Sequence, residues 1–401
     1  MIKDTINNMA KNLYARKDSK ALDYLANYFI NDKKKQLTFH HYNLMNEEIK
    51  DELYDEFDKI FSMHSDQEHW FYVKKFEKRY AGYLGKRYAV GTSSGATALQ
   101  LSLLVSGIRE GDEVITVPNT FIATALAISS IGAKPVFIDI SKENYNMDPV
   151  LIENAITSKT KAIIPVHLYG NPCDMDAIRK VSQAYNLSII EDCCQAHGAM
   201  YHSKKVPFTD IGCFSFNTSK ILGGMGNGGM ILSNDYKIKD MVEAMIELES
   251  NSRSVSLNKI PTAKLDIIQA AILNVKLNHL HAWVIKRREN ATVYNELLQE
   301  YNVICPQETN NAKSVYSSYV IRSINRDRLK NYLNNNHIET NIEYKVPIHL
   351  TKAFINLGYH TGNFPVTEKI CKEMLSLPIS PFLTEIQIGR ISKLIIQFFR
   401  N

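Results

Sequence analysis

Short runs rich in β-branched residues recur from Tyr88 onward, each followed by a stretch with helical spacing, and this rhythm constrains the fold more than any other feature. A strand over Tyr88 to Val90 enters a Gly/Ser/Thr turn, and a helix starts at about Ala96. DEVITVPNTF is followed by the helical ATALAISSIGA, then KPVFIDI, a helix near Pro149 to Ala155, KAIIPVHLYG, a helix over Met175 to Tyr185, and LSIIEDC. Strands joined by helices of about 10–15 residues are βαβ units, and such units build a mainly parallel sheet. After about Leu257 the pattern changes. A long helix spans roughly Lys264 to Gln299, with Ile268, Ala271, Ile272, Val275 and Leu280 at its spacing. SSYVIRSI and TNIEY read as strands of a smaller α+β unit that ends in a helix from Glu385. Upstream, a helix-like pattern runs from about Glu47 to Gly82. Residues 1–36 stand apart, with Leu22, Leu25, Tyr28 and Phe29 at helical spacing, as one or two short helices packed on the body or on a partner chain.

At 401 residues the chain has room for two or three domains. The formal charge of +5 is a small excess on 47 basic and 42 acidic residues, which favours anionic ligands mildly and is no nucleic-acid signature. Lys33-Lys34-Lys35 is the one basic run of note and reads as a solvated linker. No uncharged apolar run reaches the roughly 18 residues of a membrane helix, and the N-terminus lacks the apolar core of a secretory signal. Six cysteines, at 173, 193, 194, 213, 305 and 371, form no disulfide framework, and the compartment expected is the cytoplasm. No metal site is expected: Cys193-Cys194 lack ligand spacing, His279 and His281 do not share a helix face, and His40-His41 is unremarkable as a ligand pair.

The chemistry concentrates between Ile189 and Met230. An apolar strand there ends in Asp192, and ligands of parallel sheets bind in the crevice at the carboxyl ends of the strands. Gln195 and His197 follow within reach of that crevice. Lys220 lies between a Ser/Thr/Asn-rich turn and five glycines, where backbone approaches a ligand closely. Ser215, in the strand-like CFSF, can offer a hydroxyl to a phosphate. The glycine run holds a formal G-x-G-x-x-G at Gly224, Gly226 and Gly229, yet the strand-like MILSND follows where a dinucleotide site needs a helix. A hairpin that carries Lys220 is the simpler account. Ser93-Ser94-Gly95-Ala96-Thr97 lies between a strand and a helix, and amides at a helix start bind phosphate. Phe121, after another strand end, offers a flat face to a ring. An acid at a strand end and a lysine on a nearby loop are what pyridoxal phosphate (PLP) chemistry needs.

Together these segments resemble the DegT/DnrJ/EryC1/StrS sugar aminotransferases. The likeness runs through GTSSGATAL, GDEVITVPNTFIATALAI, GAKPVFIDI, KAIIPVHLYGNPCDMDAI, IIEDCCQAHGA, DIGCFSFNTSK, GNGGMILSND, LDIIQAAIL and LSLPISP, and covers roughly Gln36 to the C-terminus. The resemblance implies an α/β fold of the PLP fold type I: a large domain (37–256) with a mainly parallel seven-stranded sheet between helices, and a smaller C-terminal α+β domain (257–401). Residues 1–36 remain a helical extension outside it. It implies that Lys220 is the Schiff-base lysine and proton carrier. Asp192 matches the partner of the pyridine nitrogen, Gln195 the neighbour of the phenolic oxygen, and Phe121 the aromatic stacked on the ring. Gly95 and Ala96 match the backbone phosphate donors and Ser215 the hydroxyl donor. His167, Tyr344 and His349 match positions near the substrate.

Two departures stand out. Ala96 replaces a frequent threonine, and Thr262 and Lys264 replace an Asn-x-Arg that reaches the neighbouring subunit's phosphate and the donor's carboxylate. Lysine keeps the charge and loses the bidentate fork. The function implied is transfer of an amino group, from a donor expected to be L-glutamate, to a keto sugar, first among them a nucleotide-linked 3- or 4-keto-deoxysugar. Alternatives are a keto sugar phosphate, a cyclitol ketone, or a PLP-binding regulatory protein without turnover. PLP-dependent dehydration is disfavoured, since relatives doing it carry histidine in place of the lysine. A homodimer with active sites at its interface is also implied, with no nucleic-acid or membrane partner.

Overall fold

The computed structural model describes residues 36–39, 42–63, 66–246 and 263–400. The expected N-terminal helices, the Lys33–Lys35 run, His40-His41 and Thr262 lie outside the described residues.

The helix-like region before the sheet is three helices, α1 (Tyr42–Glu48), α2 (Lys50–Phe61) and α3 (Asp66–Leu84). Strand and helix then alternate as β1 (Tyr88–Thr92), α4 (Gly95–Val105), β2 (Glu113–Thr116), α5 (Ala123–Ser129), β3 (Lys134–Phe137), β4 (Thr160–Ile163), α6 (Met175–Tyr185) and β5 (Ser188–Asp192). Two short strands, β6 (Met200–Tyr201) and β7 (Lys204–Lys205), precede β8 (Ile211–Ser215) and β9 (Gly229–Ser233). The helices α7 (Tyr236–Ile246) and α8 (Ile267–Leu298) follow. The C-terminal part holds β10 (Ala312–Lys313), β11 (Tyr319–Arg322), α9 (Arg326–Asn335), α10 (Pro365–Glu373), β12 (Met374–Leu377) and α11 (Glu385–Arg400).

Seven strands form one sheet in the order β1-β9-β8-β5-β4-β2-β3. Only β9 runs against its neighbours; the other pairings are parallel. β2 is buried along its whole length, with Val114 and Ile115 at its centre and the buried Thr116 hydroxyl bonded to the Ile164 carbonyl, as a central strand of a sheet covered on both faces. Local chemistry sets the element ends. Ser94 caps α4 through Thr97 N–H at 3.1 Å, and Asp174 caps α6 through Ala177 N–H at 3.2 Å. Asn186 closes α6 in the left-handed conformation. Asp266 caps α8 through Ile268 and Gln269.

The 32-residue α8 takes part in three hydrophobic clusters, and its Ile272, Val275 and Trp283 pack with Met45, Ile49 and Leu53 of the helices before the sheet. Its Ala270, Leu273, Leu277 and Leu280 pack with the large sheet, and its Ala291, Tyr294 and Leu298 pack with β11, β12, α9 and α11. Leu37 belongs to this C-terminal core and is bridged to Ile338.

Two expected elements differ. Pro149–Leu151 and Glu153–Ala155 are separate 3-10 turns: Asp148 accepts from Val150 N–H, and the backbone is already extended at Ile156. The expected strand TNIEY makes a single bridge, Asn341 with Ser376, on the edge of β12 away from β11.

Candidate active site

The parallel strands β2, β4 and β5 end on the same side of the sheet, and Asp192 is the last residue of β5. Its carboxylate is 5% exposed and accepts the Thr124 hydroxyl at Oδ2 (2.8 Å) and the Cys194 N–H at Oδ1 (3.1 Å). Thr124 in turn meets the Thr120 hydroxyl at 3.2 Å. Neither threonine stood out in the sequence. Their role depends on α5, which follows β2, reaching over β4 to β5, an adjacency that only the sheet order creates.

The loop between the antiparallel β8 and β9 carries Lys220. It begins with a turn closed by Lys220 N–H on the Asn217 carbonyl at 2.9 Å, while the Asn217 side chain accepts from Ser219 N–H and hydroxyl. Lys220 is half-buried, and among the described residues its amine makes no hydrogen bond or ion pair. Cys194 links the two ends of the cleft. Burial pushes its thiol well up, the Asp192 charge adds to this, and the Lys220 charge opposes it, so both groups lie near one sulfur.

The start of α4 closes the cleft from one side. A Cβ on Gly95 would stand 2.7 Å from Ser215 Cβ and 2.8 Å from Cys194 Sγ, so only glycine brings the helix this close. The first amides of a helix, here Gly95 and Ala96, have no carbonyl of their own turn to bond. Ser215 is half-buried, and its hydroxyl accepts from Asn217 N–H at 3.3 Å.

Opposite, Gln195 accepts from Tyr169 N–H at 2.8 Å and donates to the Tyr344 hydroxyl at 3.2 Å. Burial pushes the Tyr344 hydroxyl well up, keeping it protonated. The Phe121 ring, 54% exposed, tilts against Tyr344 with centroids 6.1 Å apart. Lys264 forms a bridge with Thr92, next to the Ser93 N–H that bonds the Ala263 carbonyl, and its ammonium sits 4.3 Å over the Trp70 ring.

Three histidines expected near the site have their rings engaged by neighbouring protein groups. His167 is wholly buried; Nδ1 accepts from Cys173 N–H at 3.0 Å, which leaves the proton on Nε2 for Glu191 at 2.8 Å. Both nitrogens are committed on the Glu191 side of β5, opposite Asp192 in the strand's alternation. His349 is also buried, edge-on against Phe364, with Nε2 3.2 Å from Glu368 and no partner for Nδ1 among the described residues. Burial pushes its pKa down. His197 lies behind the crevice: Nε2 donates to the Ser215 carbonyl at 2.9 Å and Nδ1 meets the Tyr80 hydroxyl at 2.7 Å. Burial holds it neutral, with a pKa pushed down to about 3.

His167, Glu191 and Cys193 bring possible metal ligands within 4.8 Å of one another, but their chemistry is spent. Glu191 is taken by His167, Phe208 N–H and both donors of Thr209, and burial keeps the Cys193 thiol protonated.

The cleft thus has a buried, doubly bonded carboxylate, an unpaired amine, a glycine-lined helix start with a hydroxyl beside it, and an exposed aromatic face. This donor set fits a phosphorylated pyridine aldehyde: charge for the ring nitrogen, amine for the aldehyde, amides for the phosphate. The fold and cleft are those of a PLP-dependent enzyme of fold type I.

Residues 49–395 match the model of the DegT/DnrJ/EryC1/StrS aminotransferase family, and the chain belongs to that family. It is 40% identical over 334 residues to a pleiotropic regulatory protein of Geobacillus stearothermophilus, spanning 82% of this chain and 90% of that protein. It is 39% identical over 320 residues to the dTDP-3-amino-3,6-dideoxy-α-D-galactopyranose transaminase of Aneurinibacillus thermoaerophilus, spanning 80% of this chain and 88% of that one. Among solved structures, ntda from Bacillus subtilis with bound cofactor PMP superposes with a TM-score of 0.81 at 28% identity, over 92% of this chain and 87% of that one. The chain is an aminotransferase, and its cofactor is PLP.

Proposed function

We propose that the chain moves an amino group from L-glutamate to the ketone of a nucleotide-linked 3- or 4-keto-deoxysugar, in amino-sugar biosynthesis. The dTDP-linked sugar in the name of the Aneurinibacillus relative supports the nucleotide. The observation that carries the reading is the unpaired Lys220 amine in one cleft with the buried, doubly bonded Asp192.

PLP supplies an electron-accepting ring and a carbonyl carbon that exchanges between amines. Asp192 would keep the ring nitrogen protonated, and Thr124 and the Cys194 amide hold that carboxylate in place. The Gly95 and Ala96 amides and the Ser215 hydroxyl would hold the phosphate. Phe121 would offer its face to the ring, and Gln195, its oxygen engaged by Tyr169 and its NH2 by the Tyr344 hydroxyl, would stand near the phenolic oxygen. Lys220 Nζ would bind the aldehyde and serve as the base that moves a proton at the substrate carbon. Tyr344 would line the sugar side, and His167 and His349, buried and paired with Glu191 and Glu368, would support it. A regulatory role without turnover is not favoured, since Asp192, Lys220, Ser215 and the Gly95 and Ala96 amides stand together in the described part of the cleft.

A homodimer belongs to this reading, with Thr262 and Lys264 reaching the partner's site. The exposed apolar side chains of Trp70, Phe71, Leu126 and Ile268 support burial against a second copy. A cytoplasmic location is supported by six cysteines that are all free.

Borohydride reduction of the PLP-loaded protein followed by peptide mass spectrometry should put a pyridoxyl group on Lys220. Label on another lysine, or full turnover by Lys220→Ala, would overturn the reading. A panel of dTDP- and UDP-linked keto sugars set against keto sugar phosphates and cyclitol ketones decides the acceptor. Sedimentation as a monomer at micromolar concentration would contradict the dimer.

A further inference from the structure

Lys276 is the buried charge that the reaction does not use. It lies on the inner face of α8, is 3% exposed, and donates to the Gly223 carbonyl at 2.8 Å. No carboxylate pairs with it among the described residues. Burial alone pushes its pKa down to about 8. Keeping an amine out of water without a counter-ion is costly, and an apolar side chain of the same length would fill the space without that cost.

What the amine holds is specific. A Cβ on Gly223 would stand 2.6 Å from the Thr218 carbonyl oxygen and 2.8 Å from that of Asn217. Gly223 is therefore folded directly onto the turn whose Asn217 carbonyl accepts from Lys220 N–H. Seven residues earlier on α8, two turns along the same face, Gln269 accepts Met225 N–H at 2.8 Å and would lie 2.4 Å from a Cβ on Gly224. One helix face thus grips the glycine run at two points, and the run presses on the turn beneath Lys220.

We propose that Lys276 is a positioning residue: through the Gly223 carbonyl it sets where the turn presents the Lys220 amine, with Gln269 as the second hold. This rests on Lys220 being the amine that takes the cofactor.

The test uses the PLP-loaded enzyme and the Lys276→Met variant, which keeps the length and removes the donor. The pH at which the bound cofactor's visible band titrates should move by about half a unit or more. kcat should fall roughly 10- to 100-fold with KM changed less than about twofold, as for a misplaced reacting group. Capture of added PLP by the apoenzyme, followed at the same band, should slow. Lys276→Gln, which keeps a donor, should recover part of each change. A variant of lowered Tm with an unmoved band titration and unchanged kcat would make Lys276 a packing residue and overturn the proposal. If Lys276→Met does not fold, Gln269→Leu releases the other hold, and an unmoved band in that variant overturns it equally. Borohydride label absent from Lys220 in the wild type would instead sink the reading beneath it, so the two failures are distinct.

Discussion

Asp192 ends a strand whose last two carboxylates are buried and hydrogen-bonded, whereas Lys220 stands in a turn that backbone, glycines and one helix face hold. The acid end is built for fixity. Glu191 and Asp192, pointing to opposite faces of β5, are each locked by donors from other elements: His167, Phe208 and Thr209 on one side, Thr124 on the other. The amine end has a side chain without a hydrogen-bond partner among the described residues and a backbone rich in glycine, which suits the proposed role of Lys220, an amine that must leave a cofactor and return. A fixed charge and a movable nucleophile are different structural problems, and one cleft solves them with different residues.

Asp192→Asn should do most to erase the contrast. It keeps the shape and removes the charge, and kcat should drop on the order of 10²–10³-fold, the scale of losing one preorganised electrostatic group. The folded protein should keep its circular dichroism.

Next comes Glu191→Ala, which strands His167 and the Phe208 and Thr209 donors. Breaking such a buried pair costs roughly 3–5 kcal/mol, read as a fall in the denaturation midpoint. Its pH dependence has a defined sign. Burial pushes Glu191 up, but the hydrogen bonds from His167 and Thr209 outweigh it and hold the folded pKa below the ordinary 4.5. Its contribution is therefore complete above that value and is lost as pH falls through the folded one. The variant should differ most from the wild type near neutrality and least in acid.

Gly95→Ala sharpens the amine side. The added carbon meets Ser215 and Cys194 below 3 Å, and overpacking of this kind costs about 1–3 kcal/mol, here expected as weaker PLP binding in a titration of the apoenzyme. Ser94→Ala, which only uncaps α4, should cost about 1 kcal/mol and shift Tm by a few degrees. An effect of Ser94→Ala larger than that of Gly95→Ala would mean that the cap, not the close approach, shapes the phosphate cradle.

Much of this was legible in the chain. The alternation from Tyr88 to Asp192 marked the parallel sheet, and MILSND after the glycines marked β9, so the loop of Lys220 was recognisable as a hairpin crossing. His167 was expected near the substrate, but its pairing with Glu191 was not foreseen, because which way a ring turns after a strand depends on the irregular backbone that follows, with Tyr169 at φ 56°. Thr124 was invisible for another reason: its bond to Asp192 spans 68 residues and joins elements that are adjacent only in the folded sheet order. Lys276 did not stand out in the sequence, and only the position of the Gly223 carbonyl gives it a purpose.

α8 is roughly 48 Å long at 1.5 Å per residue, and its two halves are built into two different cores. A rod shared in this way ties the melting of one core to that of the other. Loosening β11, β12 and α11 strips the C-terminal half of α8 of its packing, and the fraying runs up the helix toward the residues that hold the glycine run. Damage far from the cleft, at Tyr294 or Leu298, therefore reaches Lys220 as lost cooperativity, well before any residue of the cleft is touched.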